Sequence, residues 1–162
     1  MNKLITMAVA GTLLGVSVAS FAAVRAAHVR SGNWELSGGS VVLAWVPLNA
    51  AGATTISFNL PGPGVKVLTY SAECAVAAPE GNTRAYLDLD IVVNDVVVPP
   101  TGRSYDAFCS SNGTVVIDGW THPSITVAIP GKAGVNTVKI LARRNSAATG
   151  IRLGDSSLVI HD

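Results

Sequence analysis

Charge is what this chain lacks most. Only 13% of its 162 residues are Asp, Glu, Lys or Arg, and its eleven basic and ten acidic side chains nearly cancel. A neutral chain is a poor match for nucleic acid, whose affinity rests on phosphate neutralisation. It is equally poorly suited to electrostatic attachment to anionic lipid. Aromatic residues are sparse, with three each of Trp, Tyr and Phe. There are two cysteines and three scattered histidines (His28, His122, His161), a set that matches no zinc-ligand spacing. Sustained helical periodicity is missing too: after the first two dozen residues no segment keeps a 3.6-residue apolar repeat over three turns.

What is present is apolar and β-prone. The hydrophobic fraction is 49%, which argues against disorder and leaves a surface suited to partner contacts or self-assembly. The first residues read as a targeting segment. Lys3 supplies a positive start and no charge follows until Arg25. Ser20-Phe21-Ala22 offers small residues for cleavage, giving a signal peptide over residues 1–22, and Val24-Arg25-Ala26 is a second option. An uncleaved anchor is the alternative, because the uncharged run is just long enough to span a bilayer. Export would leave about 140 residues, the length of one domain.

An exported chain makes a Cys74–Cys109 disulfide the default pairing, and two free thiols the alternative. Closing that loop would stabilise the fold by about 4 kcal/mol in the chain-entropy model.

The most informative stretch runs from Arg84 to Val98. Leu87, Leu89, Ile91 and Val93 share one parity, and Tyr86, Asp88, Asp90 and Asn94 share the other. That is the period of a strand with one buried and one wet face. Asn94-Asp95 offers a two-residue turn that tolerates positive φ. Thr54–Leu60, Val65–Ala72, Ser124–Ile129 and Asn136–Arg144 alternate likewise. Val41–Val46, Tyr105–Cys109 and Thr114–Trp120 read as further short β segments. In Ile151–Ile160, Leu153 and Leu158 are out of phase, so a bulge or break is expected at Gly154-Asp155. Residues 23–39 show no clear period and read as an N-terminal arm, with 40–162 as a single domain. Eight to ten short strands with Gly/Pro turns mean an all-β, antiparallel β-sandwich of jelly-roll type. In architecture alone the chain resembles secreted jelly-roll modules, such as carbohydrate-binding modules or phage-fibre heads.

Candidate chemistry is limited. Asp88 and Asp90 would lie roughly 7 Å apart on one strand face, a spacing compatible with inverting glycosidases. With Tyr86 they would suit a sugar or contribute to a weak calcium site, and a merely solvated strand face explains them equally. Trp120 is the aromatic in a polar loop that reads as exposed, while Trp45 and Tyr70 sit in apolar strands and read as core. Gly154-Asp155-Ser156-Ser157, with His122, offers elements of a hydrolase triad but no nucleophile elbow. Lys139, Arg143, Arg144 and Arg152 read as a basic patch or as edge-strand charges. Asn112-Gly113-Thr114 fits a glycosylation acceptor. No metal centre or cofactor is called for. The reading that best covers these residues is an exported, non-enzymatic binding module, extracellular or periplasmic. Its candidate ligand residues are Tyr86, Asp88, Asp90 and Trp120, with a glycan or protein partner. A small secreted hydrolase and a self-associating structural subunit are the alternatives.

Overall fold

The computed structural model describes residues 22–37, 42–101, 106–117 and 119–162. Almost all of the expected signal segment, together with Tyr105, lies outside these. The described strands are, in chain order, β1 Val24–Arg30, β2 Trp34–Ser37, β3 Val42–Trp45, β4 Ile56–Leu60, β5 Gly64–Ala77 and β6 Tyr86–Val93. They continue with β7 Val96–Val97, β8 Ala107–Ser110, β9 Ser124–Gly131, β10 Gly134–Arg144 and β11 Gly150–His161. No helix occurs among the described residues.

Two antiparallel sheets form a sandwich. The first, sheet A, has the order β1-β11-β5-β9, with β2 continuing the β1 edge along β11. The second, sheet B, has the order β3-β10-β6-β7; β4 continues the β3 edge and β8 the β7 edge. Counting β1/β2, β3/β4 and β7/β8 each as one interrupted strand gives eight positions. Their orders are then 1-8-3-6 and 2-7-4-5, the double Greek key of a jelly roll. Three of the four sheet edges are thus broken in mid-length, which discourages pairing with another chain's edge.

The core follows from strand parity. Leu68, Tyr70, Ala72 and Cys74 of β5 and Leu153, Leu158 and Ile160 of β11 face Leu87, Leu89 and Ile91 of β6 and Val138, Ile140 and Ala142 of β10. All are almost fully buried. The phase reversal in β11 is resolved as expected: its register against β5 shifts between Leu153 and Ser156. One bulge lets Ile151 and Leu153, then Leu158 and Ile160, all reach the core. Arg30 is 5% exposed and holds the bulge, donating to the Leu153 carbonyl at 3.2 Å and the Gly154 carbonyl at 2.5 Å. Irregular backbone leaves carbonyls without ladder partners, and a buried guanidinium satisfies them.

The Asn94-Asp95 turn is also as expected, with φ of 50° and 65°. Asn136, fully buried, secures that end of the sandwich. Its Oδ1 accepts from Asn94 and from the Lys132 amide, both at 2.9 Å.

Cys74 and Cys109 are joined, with Cα atoms 6.3 Å apart. Cys74 lies in sheet A and Cys109 in sheet B, so the bond crosses the sandwich.

Three expectations need correction. Residues 23–39 contain β1 and β2, both hydrogen-bonded to β11; a short, half-exposed edge strand gives little periodic signal. Residues 114–117 and 119–120 are irregular, with Val115 63% and Val116 54% exposed. The β-branched residues described there join no strand ladder, and propensity yields to context. Trp45 is 41% exposed rather than core. The run Val41–Val46 has no polar residue to mark its phase, so its outward side could not be read.

Candidate functional site: the outer face of sheet B

The outer face of sheet B is built from cross-strand neighbours, which share a face when directly opposite. Leu43, Arg143 and Asp88 form one row, and Trp45, Leu141 and Asp90 the next. Lys139 and Val92 form a third. The face therefore joins an exposed indole, two cations and two carboxylates.

The carboxylates are not wet, as their alternation with leucine had suggested. Asp88 and Asp90 are each 3% exposed. Parity assigned them to the outer face correctly, but parity does not say whether an outer face is covered. Arg143 reaches diagonally across from β10 and donates to Asp90 Oδ2 at 2.9 Å. The Asp90 side chain is 4% exposed, whereas that of Arg143 is 35% exposed. A buried acid thus fixes an accessible guanidinium, whose planar fork of donors suits oriented recognition.

Beside it, the Lys139 ammonium lies 5.4 Å from the centroid of the Trp45 ring. Lys139 also donates to Asp95 Oδ1 at 2.7 Å. That contact holds the Asp95 carboxyl below its ordinary value. The indole is steadied on one side by a cation–π contact, and Leu43, 55% exposed, extends the apolar surface.

The other expected site residues divide. Tyr86 is half-buried at the start of β6, on the same parity as the two aspartates. Trp120 is 38% exposed, but it belongs to the loop at residues 119–123. That loop is anchored to sheet A, where Thr121 and Cys74 exchange backbone hydrogen bonds of 2.8 and 2.9 Å. The basic residues form no single patch. Arg144 points inward, is fully buried and donates to the Ala148 carbonyl. Arg152 pairs with Glu35 in sheet A. Nor are these edge charges, since β10 and β11 are interior strands.

The Gly154–Ser157 string is the β11 bulge. Ser156 is 6% exposed and lies against buried Tyr70. Burial pushes the Tyr70 phenol up, and the Ser156 hydroxyl and the Arg30 charge draw it part of the way back. His122 instead approaches Glu73, at 3.4 Å. Among the described residues, no group of three or more His, Cys, Asp or Glu side chains could hold a metal ion.

Sequence reasoning missed Trp45, Lys139 and Arg143 as partners of this face. The alternation of β10 carried a signal: Lys139, Leu141 and Arg143 are out of phase with Val138, Ile140 and Ala142. Nothing in the sequence placed Trp45 alongside them.

No protein-family model matches the chain, and no curated protein does. Solved structures with some likeness include a family 35 carbohydrate-binding module from Clostridium thermocellum. It is 15% identical over 82% of this chain and 97% of that one, with a TM-score of 0.36. Another is a family 35 module from Paenibacillus barcinonensis, 23% identical over 85% and 91%, with a TM-score of 0.31. The dimeric latent PorU of Porphyromonas gingivalis matches at 12% identity over 85% of this chain and 13% of that one, with a TM-score of 0.39. Such scores are too low to transfer a property, and the jelly-roll order stands on the strand pairing itself.

Proposed function

We propose that this chain is an exported, non-enzymatic glycan-binding module whose ligand lies on the outer face of sheet B. The observation that carries the reading is the exposed Trp45 indole on the outer face of sheet B, one strand from an arginine fixed by a buried aspartate. A pyranose ring presents C–H groups on one face and hydroxyls around its rim. An indole plate takes the first through dispersion, and oriented N–H donors take the second. Arg143 is the accessible donor and Asp90 its positioning residue. Tyr86 and Asp88 border the same face. Trp120, on the loop at the end of the sandwich, is a separate candidate contact. Export is supported by the inter-sheet disulfide and by the charge-poor N-terminal segment behind Lys3.

The test is affinity electrophoresis and glycan-array binding of the parent, Trp45→Ala, Arg143→Gln and Trp120→Ala proteins. Trp45→Ala is expected to weaken binding about tenfold or more, and Trp120→Ala to leave it unchanged. Loss in Trp120→Ala with full binding in Trp45→Ala would move the site to the loop end. Absence of glycan binding by the parent would end the reading.

A further inference from the structure

β9 is the sheet edge that runs unbroken, from Ser124 to Gly131, and it carries no charged side chain. Among the described residues no strand pairs with its outer side. The hydrogen bonds to β5 fix which backbone groups point there. Thr121 and Cys74 exchange backbone bonds of 2.8 and 2.9 Å, and the Ala72 amide donates to the Pro123 carbonyl at 3.3 Å. The register continues with Tyr70 opposite Ile125, Leu68 opposite Val127 and Lys66 opposite Ile129. Bonding alternates along an antiparallel pair, so Ile125, Val127 and Ile129 bond to β5. Ser124, Thr126 and Ala128 therefore turn their N–H and C=O groups outward. Pro130 shares that parity but has no N–H, so the row of donors ends at Ala128.

The core is open beside the same strand. A cavity of about 320 Å³ lies between β8 and β9, lined by Leu89, Ala107, Phe108 and Ile125 with Asp106 and Ser124. Ile125 faces inward yet is only half-buried, whereas Val127 and Ile129 on the same parity are buried. A strand added to β9 would set one inward side chain next to Ile125, over this cavity. The missing occupant is thus extended backbone with an apolar side chain at that one position.

β9 itself meets both requirements. We infer that β9 pairs antiparallel with β9 of a second copy of this chain, about a two-fold axis at Thr126 perpendicular to sheet A. Thr126 then faces its own counterpart as a hydrogen-bonded pair, with Ser124 facing Ala128 on either side. These pairs exchange about six N–H···O bonds. On the inner side Val127 of each copy stands opposite Ile125 of the other and covers the cavity. On the outer side only Ser, Thr and Ala meet, so no like charges are opposed. A single shared ladder is smaller than a standard interface, so the dimer is weak and reversible. Because the axis is perpendicular to the sheet, the outer faces of sheet B in the two copies point the same way, an arrangement suited to a repeating ligand. The pairing itself does not depend on the glycan reading.

The experiment is sedimentation velocity on the purified full chain from about 5 to 500 μM, a range set by the small interface. A shift from monomer to dimer across that range is expected. Thr126→Lys sets two like charges directly opposite each other and should abolish the dimer. Thr69→Lys, on the same outer face but one strand in from the edge, should change the dissociation constant by less than about twofold. Thermal melts check that both variants are folded. Thr126→Cys supplies a second readout. Its thiols meet at the axis, where the Cα atoms of a hydrogen-bonded pair are about 5.5 Å apart, within disulfide reach. Two Thr69→Cys thiols would be three strand spacings, about 14 Å, apart. Under mild oxidation Thr126→Cys should form a covalent dimer about tenfold faster than Thr69→Cys. A monomer at every concentration would overturn the proposal. So would a dimer that survives Thr126→Lys, or equal rates of crosslinking in the two cysteine variants.

Discussion

Arg143 donates to Asp90 at 2.9 Å, with the acid almost wholly buried and the arginine one-third exposed. The pair lies on the outside of a sheet, where neither residue is needed to fill the core. A buried carboxylate stripped of its partner is costly, while an exposed guanidinium can turn to water. Removing either group therefore has unequal effects. Arg143→Gln should cost about 2 kcal/mol, because it strands Asp90, and Asp90→Asn about 1 kcal/mol. Urea unfolding of both single variants and the double checks this. A double variant no worse than Arg143→Gln alone is expected, since the two side chains act as one unit.

The bulge in β11 supports a second prediction. A Cβ added to Gly154 would lie 2.3 Å from Glu73 Oε2 and 2.9 Å from Glu73 Cβ. The carboxylate end can swing away, but Cβ is fixed by the strand. Gly154→Ala should destabilise the protein by about 1–3 kcal/mol. Placing it in a Glu73→Gly background should recover most of that loss, measured as the shift in denaturation midpoint.

The disulfide crosses between sheets rather than bracing one of them. Replacing Cys74 and Cys109 together by Ala should cost about 4 kcal/mol, read as a fall in thermal midpoint. The β5–β11 pairing should persist by hydrogen exchange, because β5 and β11 are held by ladder bonds independent of the bridge.

Acid should loosen the N-terminal edge. Arg25 and Lys66 both contact Asp162, holding its carboxyl far below its ordinary value of 3.8. A carboxyl whose folded-state pKa is depressed stabilises fully above the unfolded value. That contribution is lost as pH falls below about 4 towards the folded value. The expected outcome is a fall in amide protection factors in β1 below about pH 4, before global unfolding. Asp162→Asn should show the lower protection already at neutral pH. Equal protection of β1 in parent and variant would count against this role.

Period-two alternation was enough to find β4, β5, β6, β9 and β10 and to say which side of each meets the core. The side-chain period of a strand is 2, so a single misplacement would put every leucine in water. The same rule located the β11 bulge from the phase of Leu153 and Leu158. It failed where it had nothing to work with. Val41–Val46 is apolar throughout, so the outward aim of Trp45 left no trace. Edge strands β1 and β2 are too exposed to alternate clearly.

By itself, then, the sequence determined the all-β class, the core parity, the turns and the one possible cysteine pair, because these depend on neighbours along the chain. Tertiary structure decided which strands lie side by side and which outer faces are covered. It buried Asp88 and Asp90, turned Arg144 inward and set Trp45 beside Lys139. Such contacts join residues that are dozens of positions apart, up to the 94 between Trp45 and Lys139, and local periodicity carries no information about them.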